Sequence, residues 1–173
     1  MYRTLPYVIF FIVVMALQIF VIDKLTLSVA LAPLIYVGFV ALLPMQSSQI
    51  SMLLLGFGVG VIADLAMGMA GVNTIATTFV AYVRYYLLLA VVGRDALSVG
   101  GAPAMVKMGV SRFLRYLLCL VLLHHTILFV VESLNIISWG FALRRVLLSS
   151  AVSVLFISIL SLLFAPVLGV RKG

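Results

Sequence analysis

Five stretches without Asp, Glu, Lys or Arg, at 4–22, 25–63, 65–83, 116–131 and 146–170, set the limits on what this chain can fold into. A bilayer core about 30 Å thick needs roughly 20 apolar residues per helix, so several of these stretches match one span and 25–63 matches two. A water-soluble domain of 173 residues, 66% of them hydrophobic and 9% charged, could not hide that much apolar surface. Closed barrels also satisfy the backbone in lipid, but their strands alternate apolar and polar with period 2, and nothing here alternates that way. The sequence therefore predicts an all-α integral membrane protein, a single membrane domain over 1–173 built as a bundle of about six transmembrane helices.

Punctuation places the helices near 6–22, 27–43, 50–69, 73–93, 113–133 and 146–168. Asp23-Lys24 ends the first, Pro44 with Gln46-Ser47-Ser48-Gln49 ends the second, and Gly68 to Asn73 turns the chain after the third. The first apolar run continues past Gln18 without a small-residue cleavage site, which reads as a retained helix and not a signal peptide. The longest connection, Arg94 to Arg112, is expected to be an extramembrane contact loop. The next, Ser133 to Arg145, carries the interface-loving Trp139 and Phe141. Six spans put Arg3, Arg94, Lys107, Arg112, Arg171 and Lys172 on one side against Lys24, Arg144 and Arg145 on the other. That positive-inside bias predicts both termini in the cytoplasm. A net charge of +7 then reads as topology and contact with membrane lipid; the basic residues are scattered at helix ends, which argues against a nucleic-acid partner.

Within the third segment, Gly56, Gly60, Asp64 and Gly68 recur every four residues, on one slowly drifting helical face where another backbone can come close. Gly56, Gly60 and Gly68, with Gly71, form the expected helix-packing set. Asp64 is costly inside a membrane segment and needs a partner. Three readings are open: an ion pair with Arg84 on the next helix, a cap on the following turn near the headgroups, or a proton or ligand relay. His124 and His125 are adjacent, so they point about 100° apart and lack the spacing of two metal ligands. They read as core histidines. Arg112 and Arg115 read as snorkelling headgroup anchors. Ser150, Ser153, Ser158 and Ser161 form a small polar stripe suited to helix packing, and Cys119, alone in an apolar run, reads as a buried inert thiol. No phosphate loop, carboxylate pair or metal-ligand cluster emerges, so no catalytic residue, metal or cofactor is expected.

The stretch from Gly56 to Tyr85, with Gly56-Phe57, Gly60, Asp64-Leu65, Gly68, Gly71-Val72 and Ala81-Tyr82, resembles the central signature of the rod-shape-determining protein D (MreD) family of bacterial inner membranes. The glycine turn after Asp64 is more compact than that signature. The resemblance implies a non-enzymatic inner-membrane scaffold of the cell-elongation machinery. Its implied partners are MreC, the actin-like MreB filament and the peptidoglycan elongation synthases. Asp64, Arg84, Arg94, Lys107 and Arg112 become the expected structural or partner-binding residues. The family is also similar in fold to the substrate-binding subunits of energy-coupling-factor vitamin transporters, which supplies the competing expectation of a solute-binding subunit. Against it, Val13 to Gln18 lacks an alanine pair four apart, and the short Asp23 to Thr26 link offers few polar groups.

Overall fold

The computed structural model describes residues 4–24, 31–133 and 139–168. Every regular element among them is helical: α1 (Thr4–Phe20), a 3-10 turn (Ile22–Lys24), α2 (Val37–Leu42), α3 (Gln49–Met67), α4 (Val72–Val99), α5 (Met105–Met108), α6 (Val110–Ser133) and α7 (Trp139–Phe164). Five of these, α1, α3, α4, α6 and α7, are long and apolar enough to cross a membrane and fit a multi-pass membrane protein. The shortest span, Gln49–Met67, has 19 residues and is about 28 Å long.

The bundle buries a set of polar side chains within its apolar core and turns large apolar ones outward. Leu65, Phe20, Ile50 and Trp139 are each at least 70% exposed, whereas Gln18, Asp64, Asn73, Thr77, Arg84, His124, His125 and five serines of α7 are buried. In lipid this arrangement is the favourable one, because the hydrocarbon accepts the aliphatic surface and offers nothing to a polar group. The serine stripe of α7 is on its buried face, and Ser149 belongs to it. Cys119, by contrast, is exposed on the outer side of α6, so it is not the buried thiol expected.

The second expected helix, 27–43, is corrected. Residues 27–30 lie outside the described residues; from Leu31 to Ile35 the chain is non-helical, and helix begins only at Val37. Pro33 explains part of this, since it lacks an N–H and disfavours helix in the residue before it. All thirteen residues from Pro33 to Met45 are buried. This segment runs through the middle of the bundle. It starts beside Asp23, Met67 and Glu132, at what we term the far end, and finishes where Met45 N–H donates to the Gly101 carbonyl (2.8 Å), at the end that also holds Thr4. Among the described residues, five long helices thus stand with a central segment that is non-helical at first and then forms the short helix α2.

Other boundaries also move. α4 continues past a break at Gly93 (φ 81°, ψ 171°) to Val99, and α5 occupies Met105–Met108, so the expected 94–112 loop is partly helical. α7 starts at Trp139, seven residues before its expected start at 146.

Candidate functional site

The candidate residues near the third and fourth helices meet around the turn between α3 and α4. Gly56 and Gly60 are packing glycines: a Cβ at Gly56 would stand 2.6 Å from Ala81 Cβ, and one at Gly60 would stand 2.4 Å from Thr74 Cα. Gly68 and Gly71 do not extend that face. Nothing lies within 4 Å of a Cβ at either, and their φ angles of 67° and 87° make them the residues that end α3 and begin α4. Glycine is needed there for a left-handed backbone rather than for close approach.

That compact turn returns the chain so that Asp64 caps α4. Its Oδ1 accepts from Asn73 N–H and from Asn73 Nδ2, both at 3.0 Å, and its Oδ2 accepts from Thr74 N–H (2.9 Å) and Thr74 Oγ1 (2.5 Å). A carboxylate at a helix N-terminus meets both the orphan amides and the positive end of the helix dipole. Of the three readings of Asp64, the cap is the one the geometry shows, and no ion pair forms with Arg84.

Arg84 lies ten residues beyond Thr74, about 15 Å along the helix. It is 2% exposed. Its Nη2 donates to the Leu43 carbonyl and to Ala41 O (3.4 Å), and its Nη1 donates to Pro44 O (3.5 Å). Since α2 ends at Leu42, these are carbonyls that the helix itself leaves unpaired, and the guanidinium sits at the negative end of the dipole. Tyr116 OH adds a bond to Ala41 O at 2.8 Å. Replacing Arg84 by Met is expected to strip the Leu43 carbonyl of its donor, while Ala41 O keeps Tyr116 OH and Pro44 O keeps Ser47 N–H, and to destabilise the protein by about 2 kcal/mol, with Lys restoring part of the loss. Thermal unfolding in detergent measures this, and an unchanged midpoint would remove the assigned role.

Between these two charged caps the extended segment is held by side chains. Extended chain rises about 3.3 Å per residue, so N–H groups two residues apart are about 6.6 Å apart, close to the 6 Å of one four-residue helical step. Ser149 and Ser153 on α7 have that spacing: Ser149 Oγ accepts from Ala32 N–H (2.9 Å) and Ser153 Oγ from Leu34 N–H (2.8 Å). Pro33 between them has no donor. On the other side, Gln18 of α1 acts like a piece of neighbouring strand, accepting from Ile35 N–H (2.7 Å) and donating to Pro33 O (3.3 Å) and Asp23 Oδ1 (2.6 Å). Non-helical backbone at membrane depth is tolerated where protein satisfies it in this way.

Tyr36 links the segment to the cap. Its hydroxyl donates to Asn73 Oδ1 (2.8 Å), whose amide nitrogen is committed to Asp64, and it contacts His124 Nε2 at 3.1 Å. Thr77 Oγ1 reaches the same nitrogen at 3.2 Å. His125 Nδ1 faces the Val121 carbonyl (3.0 Å); a carbonyl only accepts, so this nitrogen carries the proton and Nε2 faces the Ser153 hydroxyl at 3.4 Å. Sequence reading placed both histidines in the core, but Gln18, Tyr36, Asn73 and Ser149 were missed. The available signal was a glutamine in an apolar helix, together with a proline inside an expected one.

Arg94, Lys107 and Arg112 are not part of this network. All three are exposed around the end of α4 and the start of α6, and Lys107 Nζ donates to Gly100 O at 3.3 Å. At the far end a cavity of about 380 Å³ is lined by Asp23, Lys24, Asn73, Glu132 and Arg145 among others. Arg145 pairs with Glu132 at 2.9 Å and lies over the Phe129 ring at 4.3 Å. No group of three or more His, Cys, Asp or Glu side chains suited to a metal occurs among the described residues. Compared with known proteins, the chain matches no family model, no curated protein and no solved structure.

Proposed function

We propose that this protein is a non-enzymatic scaffold in the bacterial cytoplasmic membrane that binds MreC and helps control cell shape and lateral peptidoglycan synthesis. One observation carries the reading. Within the stretch on which the MreD resemblance rests, Gly56 to Tyr85, Gly56 and Gly60 build the close α3–α4 contact and Asp64 spends its carboxylate on capping α4. A bundle locked from within and apolar on its outside suits a part whose activity is contact with another membrane helix. In this reading both termini are cytoplasmic, and exposed Arg94, Lys107 and Arg112 face MreB or the anionic leaflet.

Tagged protein purified from its native host in gentle detergent is expected to carry MreC, identified by mass spectrometry. A bound vitamin with an ATPase-linked partner would overturn the scaffold reading. The far-end cavity favours that second reading, a solute-binding subunit of an energy-coupling-factor transporter, because about 380 Å³ lined by charges of both signs falls within the size range of small-molecule sites.

A further inference from the structure

An apolar groove of about 520 Å³ opens between α1 and α3 at the end that holds Thr4. Its walls are Val8 and Phe11 on α1 and Leu54, Leu55 and Ile62 on α3, with Phe39 and Leu43 behind. Gly58 opens into it: nothing lies within 4 Å of where its Cβ would be. Three features define what fits. Along α3 the groove runs from Leu54 to Ile62, eight residues or about 12 Å, close to one leaflet of a hydrocarbon core about 30 Å thick and too short for a complete spanning helix. The polar side chains Thr4, Gln46 and Ser47 gather at its outer end, with Tyr7 one turn along α1 from Thr4. A cation stands beside that end. Gln46 packs on Gly100, where a Cβ would come within 2.4 Å of Gln46 Cδ, and the exposed Lys107 ammonium is held by the Gly100 carbonyl at 3.3 Å.

We propose that this groove is a binding site for an anionic phospholipid of the adjacent leaflet, with an acyl chain between α1 and α3 and the phosphate at Lys107, Gln46 and Ser47. The site is independent of which protein partner the bundle binds. Lys107, the cation described beside it, is worth about 1 kcal/mol toward an anionic headgroup, a preference of about fivefold.

Full-length protein relipidated with phosphatidylglycerol or phosphatidylcholine of matched chains, then examined by native mass spectrometry, tests the site. Wild type is expected to retain one lipid and to favour phosphatidylglycerol about fivefold. Lys107→Gln should keep the lipid and lose the headgroup preference. Gly58→Phe and Leu55→Trp should each lose the retained lipid at an unchanged thermal midpoint. Should either variant misfold, Lys107→Gln, outside the packed core, still decides the matter. Undiminished retention in the filled groove, an unchanged preference in Lys107→Gln, or capture of a protein helix by a photocrosslinker at Leu55 would overturn the proposal.

Discussion

Gly60→Leu is expected to disassemble the α3–α4 hairpin and with it the fold. The atoms a Cβ would meet are backbone: Thr74 Cα at 2.4 Å, and Asn73 O and Thr74 N at 3.0 Å. A flexible side chain can swing away from a new neighbour, but a helix backbone must move as a body. Overpacking a well-filled core costs about 1–3 kcal/mol even where side chains can adjust, and here the shift also draws Asn73 and Thr74 away from the Asp64 carboxylate. The loss should therefore exceed that range and appear as a large fall in folded yield and thermal midpoint. Gly58→Ala, two residues away on the same helix with open space around its Cβ, should behave as wild type. Equal behaviour of Gly60→Leu and Gly58→Ala would refute the close approach. Under the scaffold reading, cells carrying Gly60→Leu lose rod shape in step with the protein level.

Asp64→Leu should be almost as damaging, for a different reason. It takes the carboxylate acceptor from two backbone amides, the Asn73 side-chain amide and the Thr74 hydroxyl at a turn where Asp64 and Asn73 are buried. A lost N-cap costs about 0.5–2 kcal/mol and each orphaned buried donor about 1–3 kcal/mol, so the sum is on the order of 4 kcal/mol. Asn73 also holds the Tyr36 hydroxyl, so the loss should spread to the central segment. Amide hydrogen exchange at Asn73 and Thr74, with the thermal midpoint, provides the measurement. Asp64→Asn, which keeps one acceptor oxygen, should fall between. Retained protection of both amides in Asp64→Leu would show that the carboxylate does not hold the turn.

The glycine face was legible because small residues four apart can have little meaning in a membrane helix except a close neighbour, and Gly56 and Gly60 do face one. Gly68 keeps the same spacing and Gly71 follows three residues on, but both serve the backbone instead, a difference that lies in φ and leaves no mark on residue type. For Asp64 the ion pair, the cap and the relay stood open together, because residue type does not say which donors a carboxylate reaches; the backbone amides that hold it are nine and ten residues ahead. The segment from Leu31 to Tyr36 was hidden for a deeper reason: hydropathy reports which residues leave water and not the conformation in which they do so. An apolar run buried as extended chain looks the same as one buried as helix. Apart from Pro33, it is its partners, Gln18, Ser149 and Ser153, that distinguish the two, and they lie on other helices.

Those partners also impose an order on synthesis. The serines that accept from Ala32 and Leu34 are 117 and 119 residues further along the chain. When the second pass leaves the ribosome, the groups that will satisfy its main chain have not been made, and they arrive only with the last helix. Membrane insertion of this protein is therefore not a simple addition of independent helices: its middle is completed by its end, and a chain stopped before α7 leaves the centre of the bundle with no acceptors for those two amides.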